Sequence, residues 1–419
     1  MLRNAVAGRL RTLQLLALFA AFALRILWGL AVPIFPVSDS VAYETFAQNI
    51  AQGNGFGWTP NQPTAYWPVG TPAIYGFLFW MFGRSYAAVM VLQVIVGVGV
   101  VALAVALARK WFDDVTAVAT GWILACWPLL IQYTTLLASE LFFLLFVLAA
   151  CWLASMSCRT WVERGVVSGI ALAAASYVRP TALVMVPLLF LKEMIDRQSR
   201  SRAILSCMVA ILAMSMCILP WAIRNWMAFD KVVLVSTNGG TNLWMGNNPD
   251  AGTGYMELPK LDIENEAERD RFLGRLARDY IVQDPIAFLV RMGRKVVDLH
   301  ARETIGVVWN AKGISQRAGE RALTPLKLVS TGYWLIVLSA AVYGIYAYAK
   351  RFGFRALLLC PPLLIWAYYS LVHSVTVAGD RYHVPSIPFV AMIAAYGLAG
   401  RWAPGRSSGA AWQRERTHI

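Results

Sequence analysis

Residues 165–191, GVVSGIALAAASYVRPTALVMVPLLFL, decide how this chain is read. The stretch is apolar apart from Arg179 near its middle, and Pro180 divides it into arms 165–178 and 181–191. Each arm falls short of the roughly 20 residues that cross a bilayer. Arg159 and Arg164 precede it, and Lys192, Arg197, Arg200 and Arg202 follow it. Lys and Arg collect on one side of a membrane. The segment therefore enters and leaves on the same side, as a hairpin with Arg179-Pro180 at its tip. Read as a single span, it would invert everything downstream and the charge bias would fail.

Working outward, further apolar runs predict spans near 13–35, 84–108, 115–132, 141–157, 203–222, 328–349, 356–373 and 384–400. With the hairpin in place, Arg3, Arg9, Arg11, Arg109, Lys110, Lys350, Arg351, Arg355 and the terminal Arg401, Arg406, Arg414 and Arg416 share one side. The opposite short loops are nearly free of cations: none in 36–72 or 132–140, and Arg381 alone in 373–383. The expected placement has both termini cytoplasmic and the sparse loops extracytoplasmic. Only 14% of the 419 residues are charged and 58% are hydrophobic, against about a quarter charged in soluble domains. The fold class that follows is an all-α polytopic membrane protein of about ten transmembrane helices, with a mixed extracytoplasmic domain. Its net charge of +14 is explained by the one-sided loops, so no nucleic-acid partner is inferred. The basic, apolar N-terminus lacks a small-residue cleavage site and reads as an uncleaved first span. Cys126, Cys151, Cys158, Cys207, Cys217 and Cys360 lie in or beside apolar runs, with no CxxC pair, and read as packing residues.

The expected organisation is an N-terminal transmembrane module 1–223 with a functional outer loop 36–72, an extracytoplasmic domain 224–327, C-terminal helices 328–402 and a basic tail 403–419. Within 224–327, residues 238–255 form a Gly/Asn loop. Ile281, Phe288, Leu289, Met292 and Val296 recur with helical spacing, as in a helix lying on the membrane surface.

Loop 36–72, PVSDSVAYETFAQNIAQGNGFGWTPNQPTAYWPVGTP, opens with a short amphipathic helix that Gly53 can end. Asp39 at its start is either an N-cap or a general base just above the bilayer. Glu44 lies about 150° round the helix from Asp39, which suits a solvated face. Trp58, Tyr66 and Trp67 among prolines suit either a sugar face or an interfacial belt. Arg179, Arg224 (in LPWAIRNW) and Arg381 (in AGDRYHVP) all fall at the outer interface. Each reads as a snorkelling side chain or, taken together, as a phosphate clamp. Glu140 lies at the same level. Arg25 in the first span is costly to bury and should face the bundle. His373, Asp380 and His383 match no strong zinc spacing. Walker, GxGxxG-helix and GxSxG patterns are absent, which argues against ATP hydrolysis, dinucleotide use and serine-hydrolase chemistry.

In order along the chain come the acidic residue and short helix after span one, the Pro/aromatic segment, SE at 139–140, RPT at the hairpin tip, PWAIRN, the NGGTNLWMGNNP loop and RYHVPSIPF. This ordered set resembles bacterial integral-membrane glycosyltransferases of the glycosyltransferase C superfold, in the branch of protein O-mannosyltransferases and aminoarabinose–lipid A transferases. The resemblance implies inverting transfer of a sugar from a polyprenyl-phosphate carrier to an envelope acceptor on the outer face. It implies Asp39 as base and Arg179, Arg224 and Arg381 as phosphate ligands. Tyr43, Trp58, Tyr66, Trp67, Tyr382 and His383 are the implied lining of the substrate site. Members of the family typically carry two adjacent acids where this chain has Asp39-Ser40. Glu44 and Glu140 are the candidates for a second acid, and a divalent metal is the one cofactor in question. Two other classes compete. A lipid-carrier flippase would place ionisable groups at mid-membrane, where only Arg25 qualifies. A non-catalytic scaffold would leave Asp39 without a role.

Overall fold

The computed structural model describes residues 2–60, 62–156 and 160–400. Cys158, Arg159, Arg401 and the tail 403–419, with Arg406, Arg414 and Arg416, lie outside the described residues, as does the side chain of Arg3. The chain runs α1 Leu2–Ala31, α2 Asp39–Ala51, α3 Gly70–Phe82, α4 Tyr86–Trp111, α5 Asp114–Ala125, α6 Pro128–Gln132, α7 Glu140–Ala154, α8 Trp161–Val178, α9 Val186–Ile195 and α10 Arg200–Phe229. It continues through α11 Gly239–Met245, α12 Glu266–Gln283, α13 Pro285–Ala301, α14 Ile305–Trp309, α15 Ala311–Ala318, α16 Leu323–Phe352, α17 Phe354–Leu358, α18 Pro361–Val375 and α19 Ile387–Ala399. No strand occurs among the described residues; the sole bridge pairs Gly57 with Pro63. The segment 224–327 is therefore helical rather than mixed.

Among the described residues, four helices are long and apolar enough to cross a membrane: Val6–Ala31, Tyr86–Trp111, Arg200–Phe229 and Glu320–Phe352. A fifth crossing arises if Asp114–Ala125 and Pro128–Thr135 act as one span bent by 55°. Pro128 supplies the break, having no N–H to continue the first helix. Two further apolar helices, Glu140–Ala154 and Val384–Ala399, are shorter, so long spans are interleaved with short helices. One of these, α3, lies in a region the hydropathy reading passed over; it packs beside α2 and ends at Gly83, whose φ of 68° suits glycine. Helix α10 continues unbroken past residue 224 to Phe229 despite Pro220, so the expected boundary at 223 falls inside a helix.

The 161–195 hairpin is closed at its base and reaches out at its tip. A reciprocal Thr160–Glu163 capping box starts α8. Arg164 of α8 donates to Glu193 of α9 at 2.8 Å, which brings the two basic ends together as the charge bias requires. Arg179, at the far end, contacts Glu140. Helix α8 lies against α10 through Gly165 and Gly169, a small-xxx-small pair. A Cβ at Gly169 would sit 2.4 Å from the Ala210 carbonyl oxygen, so only glycine permits this approach. Helix α19 is buried along nearly its whole length and forms the centre of the bundle against α5, α16 and α18. Arg25 is fully buried, with one hydrogen bond to the Ala21 carbonyl, as its position in an apolar span anticipates.

Because overpacking an interface costs about 1–3 kcal/mol, Gly169→Leu should lower the thermal midpoint of the detergent-solubilised protein. Gly8→Leu, at a site with nothing within 4 Å, should not.

Candidate active site

The start of α2, the start of α7, the end of α8 and the loop before α19 converge on four charges. Asp39 is the first residue of α2, and Ser38 before it has φ 52°, a left-handed conformation unusual for serine. Such strain beside a charged residue is a common mark of functional sites. The N-cap reading of Asp39 is thereby corrected. Its Oδ2 accepts from Arg381 Nη1 at 2.7 Å, and its Oδ1 lies 3.4 Å from the Trp67 indole N–H. Arg381 Nε is 3.6 Å from Glu140 Oε1 and is otherwise a buried N–H without a hydrogen-bond acceptor. Arg179 donates to the same Glu140 oxygen and, through Nε, to Ser139 Oγ at 3.0 Å. The result is a neutral Asp39–Arg381–Glu140–Arg179 chain, with Glu140 1% exposed.

Aromatic side chains hold the guanidinium groups flat. Arg381 lies over Trp309 at 4.7 Å and over Tyr382 at 5.3 Å. Arg179 lies over Phe143 at 5.8 Å. Burial alone would raise the Asp39 carboxyl. The charge and hydrogen bond of Arg381, the Trp67 N–H and the charge of Arg179 outweigh it and hold the group below its ordinary 3.8.

The other expected residues are distributed around this chain. Tyr43 is nearly buried one turn along α2. Trp58, Tyr66 and Trp67 form one aromatic cluster with Phe46 and Phe56, with Trp58–Trp67 and Tyr66–Trp67 centroids 5.6 and 4.6 Å apart. Trp58 is 46% exposed and is the open edge of this cluster. Tyr382 stacks on His373.

Three expectations are corrected. Glu44 is neither solvated nor part of the charge chain; it is buried and accepts from Arg84 at 2.8 Å and from the Tyr86 hydroxyl at 2.7 Å. Arg224 is likewise apart from Arg179 and Arg381. It donates to the carbonyls of Thr64 at 2.8 Å and Phe56 at 3.1 Å while lying over Trp221, so it fastens the aromatic segment. His383 is 0% exposed, held by Glu303 and the Leu299 carbonyl, and lines no opening. Asp380 accepts from Thr304, His373 stacks on Tyr382, and His383 bonds instead to Glu303 and Leu299. Among the described residues, no group of three or more His, Cys, Asp or Glu is placed to hold a metal ion.

Other participants were not visible in the sequence. Arg84 neutralises Glu44. Glu266, at the start of α12, accepts from Thr64 Oγ1 at 2.8 Å, from Thr237 Oγ1 at 3.1 Å and from the Ala65 N–H, and so clamps the same segment as Arg224. Ser139 orients Arg179. The SE pair at 139–140 was the one local signal for any of these.

Removing one member of a buried ion pair typically costs about 3–5 kcal/mol. Glu140→Ala should therefore lower thermal stability far more than Lys231→Ala, which breaks an exposed pair with Glu268 worth at most about 1 kcal/mol.

Residues 67–222 match the family described as dolichyl-phosphate-mannose-protein mannosyltransferase. No curated protein sequence matches the chain. Several solved structures are similar in fold. The archaeal oligosaccharyltransferase AglB from Archaeoglobus fulgidus, solved with an inhibitory peptide and a dolichol-phosphate, superposes with a TM-score of 0.59 at 13% identity, covering 97% of this chain and 53% of that one. The Archaeoglobus fulgidus oligosaccharyltransferase complex with Zn and sulfate gives 0.57 at 15% identity, covering 93% and 49%. ArnT from Cupriavidus metallidurans, bound to undecaprenyl phosphate, gives 0.56 at 12% identity, covering 96% and 61%. The chain thus spans about half to three-fifths of the length of these proteins. The chain is an all-α protein with membrane-spanning helices that shares the fold of these solved structures, and over residues 67–222 it matches the protein mannosyltransferase family model.

Proposed function

We propose that the chain transfers a sugar, with inversion, from a polyprenyl-phosphate carrier to an envelope acceptor at the membrane face that bears Asp39. The observation that carries this reading is the Asp39 carboxylate held against Arg381 within the Glu140–Arg179 chain. The dolichol-phosphate and undecaprenyl phosphate bound by the structural neighbours support a lipid phosphate as the donor group. In this reading Asp39 takes the proton of the acceptor hydroxyl as that oxygen bonds to the anomeric carbon. The bond from that carbon to the phosphate oxygen breaks, and its electron pair leaves with the lipid phosphate. The Nε–H of Arg381, a buried donor with no hydrogen-bond acceptor, is the group that meets the developing phosphate charge. Arg179 keeps Glu140 occupied, so that Glu140 does not quench Arg381 fully. Trp58, Tyr66 and Trp67 offer apolar ring surface beside Asp39, where a pyranose can stack.

This reading places no step on a metal. Ser40 stands beside Asp39, and its buried hydroxyl has no hydrogen-bond partner. Glu140, the nearest second acid, is already shared by two arginines. The residues present therefore do not fit a carboxylate-pair metal site.

The test is mass spectrometry of envelope lipids and glycans from a deletion strain complemented with variants. Asp39→Asn should fail to restore the missing sugar, with a loss of 100-fold or more, the order expected for a general base. Product at the wild-type level would exclude Asp39 as the base. In vitro, activity should have no acid limb from Asp39 between pH 5 and 8. A group held below 3.8 stays ionised there, and both its ion pair and its basicity are lost only as pH falls through that depressed value.

A further inference from the structure

We propose that Glu303 and His383 form a buried positioning pair that sets Arg381 against Asp39. For its ligand-binding arm only, the proposal rests on the donor reading above.

Both side chains are 0% exposed, and neither touches the charge chain itself. The Trp127 indole N–H donates to both Glu303 oxygens, at 3.1 and 2.9 Å. His383 Nδ1 lies 2.8 Å from the Leu299 carbonyl, which can only accept, so this nitrogen carries a hydrogen. His383 Nε2 and Glu303 Oε2 are then joined at 3.2 Å by a single shared proton, whichever atom holds it. The imidazole is stacked on Trp334, with 4.3 Å between centroids and 6° between planes. Trp334 is fixed in turn by its N–H to the His300 carbonyl at 2.8 Å. A carboxylate buried this deeply beside apolar helices is costly unless it is satisfied, and Trp127 and His383 satisfy Glu303.

The pair belongs to a two-sided grip on the loop before α19. One residue on from Glu303, the backbone N–H and hydroxyl of Thr304 both donate to Asp380 Oδ2 at 2.7 Å. Five residues further, Trp309 carries the Arg381 guanidinium on its face. Asp380 and His383 are thus anchored on either side of Arg381 by the consecutive residues Thr304 and Glu303. The guanidinium between them projects to Asp39 and Glu140. Glu303 acts through Arg381 and makes no contact with the reacting groups.

The experiment uses the full chain in nanodiscs with Glu303→Ala, Glu303→Gln, Arg381→Ala and the Glu303→Ala/Arg381→Ala double variant. Glutamine can accept from Trp127 and donate to neutral His383, so it restores the latch in a way that bulk packing would not. Hydrogen exchange of residues 376–386, without any ligand, should rise at least about tenfold in Glu303→Ala and by much less in Glu303→Gln, in line with local opening set free. Affinity for undecaprenyl phosphate should fall about tenfold in Glu303→Ala, be largely rescued in Glu303→Gln, and fall no further when Glu303→Ala is added to Arg381→Ala, as expected for residues acting as one unit. Unchanged exchange in Glu303→Ala, or equal losses for the alanine and glutamine variants, would overturn the pair. So would a Glu303→Ala loss that persists in the Arg381→Ala background. Should Glu303→Ala not fold, His383→Asn takes its place, keeping a donor for Leu299 and losing Glu303. If the wild-type chain does not bind undecaprenyl phosphate, the donor reading fails, and hydrogen exchange still decides the pair.

Discussion

The neutral chain of Asp39, Arg381, Glu140 and Arg179 is the constraint around which this end of the molecule is arranged. Its members come from the start of α2, the loop before α19, the start of α7 and the tip of the α8–α9 hairpin. Charges this far from water are tolerated only when each finds an opposite charge and further hydrogen bonds. The four elements are therefore tied to one another as well as packed. Ser139 fixes the second side of Arg179, Trp67 the second oxygen of Asp39, and Trp309 the face of Arg381. Removing Arg381 leaves Asp39 without its cation, and removing Glu140 leaves Arg179 without its anion.

Around that chain, the aromatic segment 56–67 is held from two directions. Arg224 reaches its carbonyls from the end of α10, and Glu266 reaches its donors from the start of α12. This explains how a loop rich in glycine and proline can present Trp58 and Trp67 at fixed positions beside Asp39. It also gives Arg224 a role that charge counting could not separate from phosphate binding. An arginine at an interface looks the same in sequence whether its donors meet backbone or ligand. Segment 285–309 works in the same way on the opposite side. Its residues are bonded to Trp127, Trp334, Trp366 and His383 in the membrane bundle, so it is part of the frame of the site rather than an appended module.

Much of this was legible in sequence wherever the signal was local or one-sided. The positive-inside bias required 165–191 to return to its starting side, and the Arg164–Glu193 contact with Arg179 at the far tip has that geometry. Asp39, Glu140, Arg179 and Arg381 were all marked as outer-level charges. What sequence could not supply was pairing. Glu44 and Asp39 are equally plausible acids on one helix, yet an Arg84 some 40 positions away takes one of them out of the site. His383 lies two residues from Arg381, but its ring turns inward because Glu303 and Trp334 await it there. Helix α3 was missed because its apolar run is shorter than a span and it packs on α2 rather than crossing.

In the proposed transfer reaction, the same charge chain bears on how charge is balanced at the site. A phosphodiester donor carries one negative charge, and the phosphomonoester that leaves carries up to two. Asp39 loses its own negative charge when it takes the acceptor's proton. The total charge at the site is then the same before and after transfer, and one unit of negative charge has moved from the carboxylate to the phosphate. Arg381 touches Asp39 through Nη1 and keeps Nε free of any hydrogen-bond acceptor, so it is the side chain placed to follow that movement. As its bond to Asp39 weakens on protonation, its attraction for the leaving group strengthens. That favours the transition state over the bound substrates, which is what separates catalysis from binding. It also requires the guanidinium to stay in place while its partner changes, and this is the work assigned to the loop anchors at Asp380 and His383.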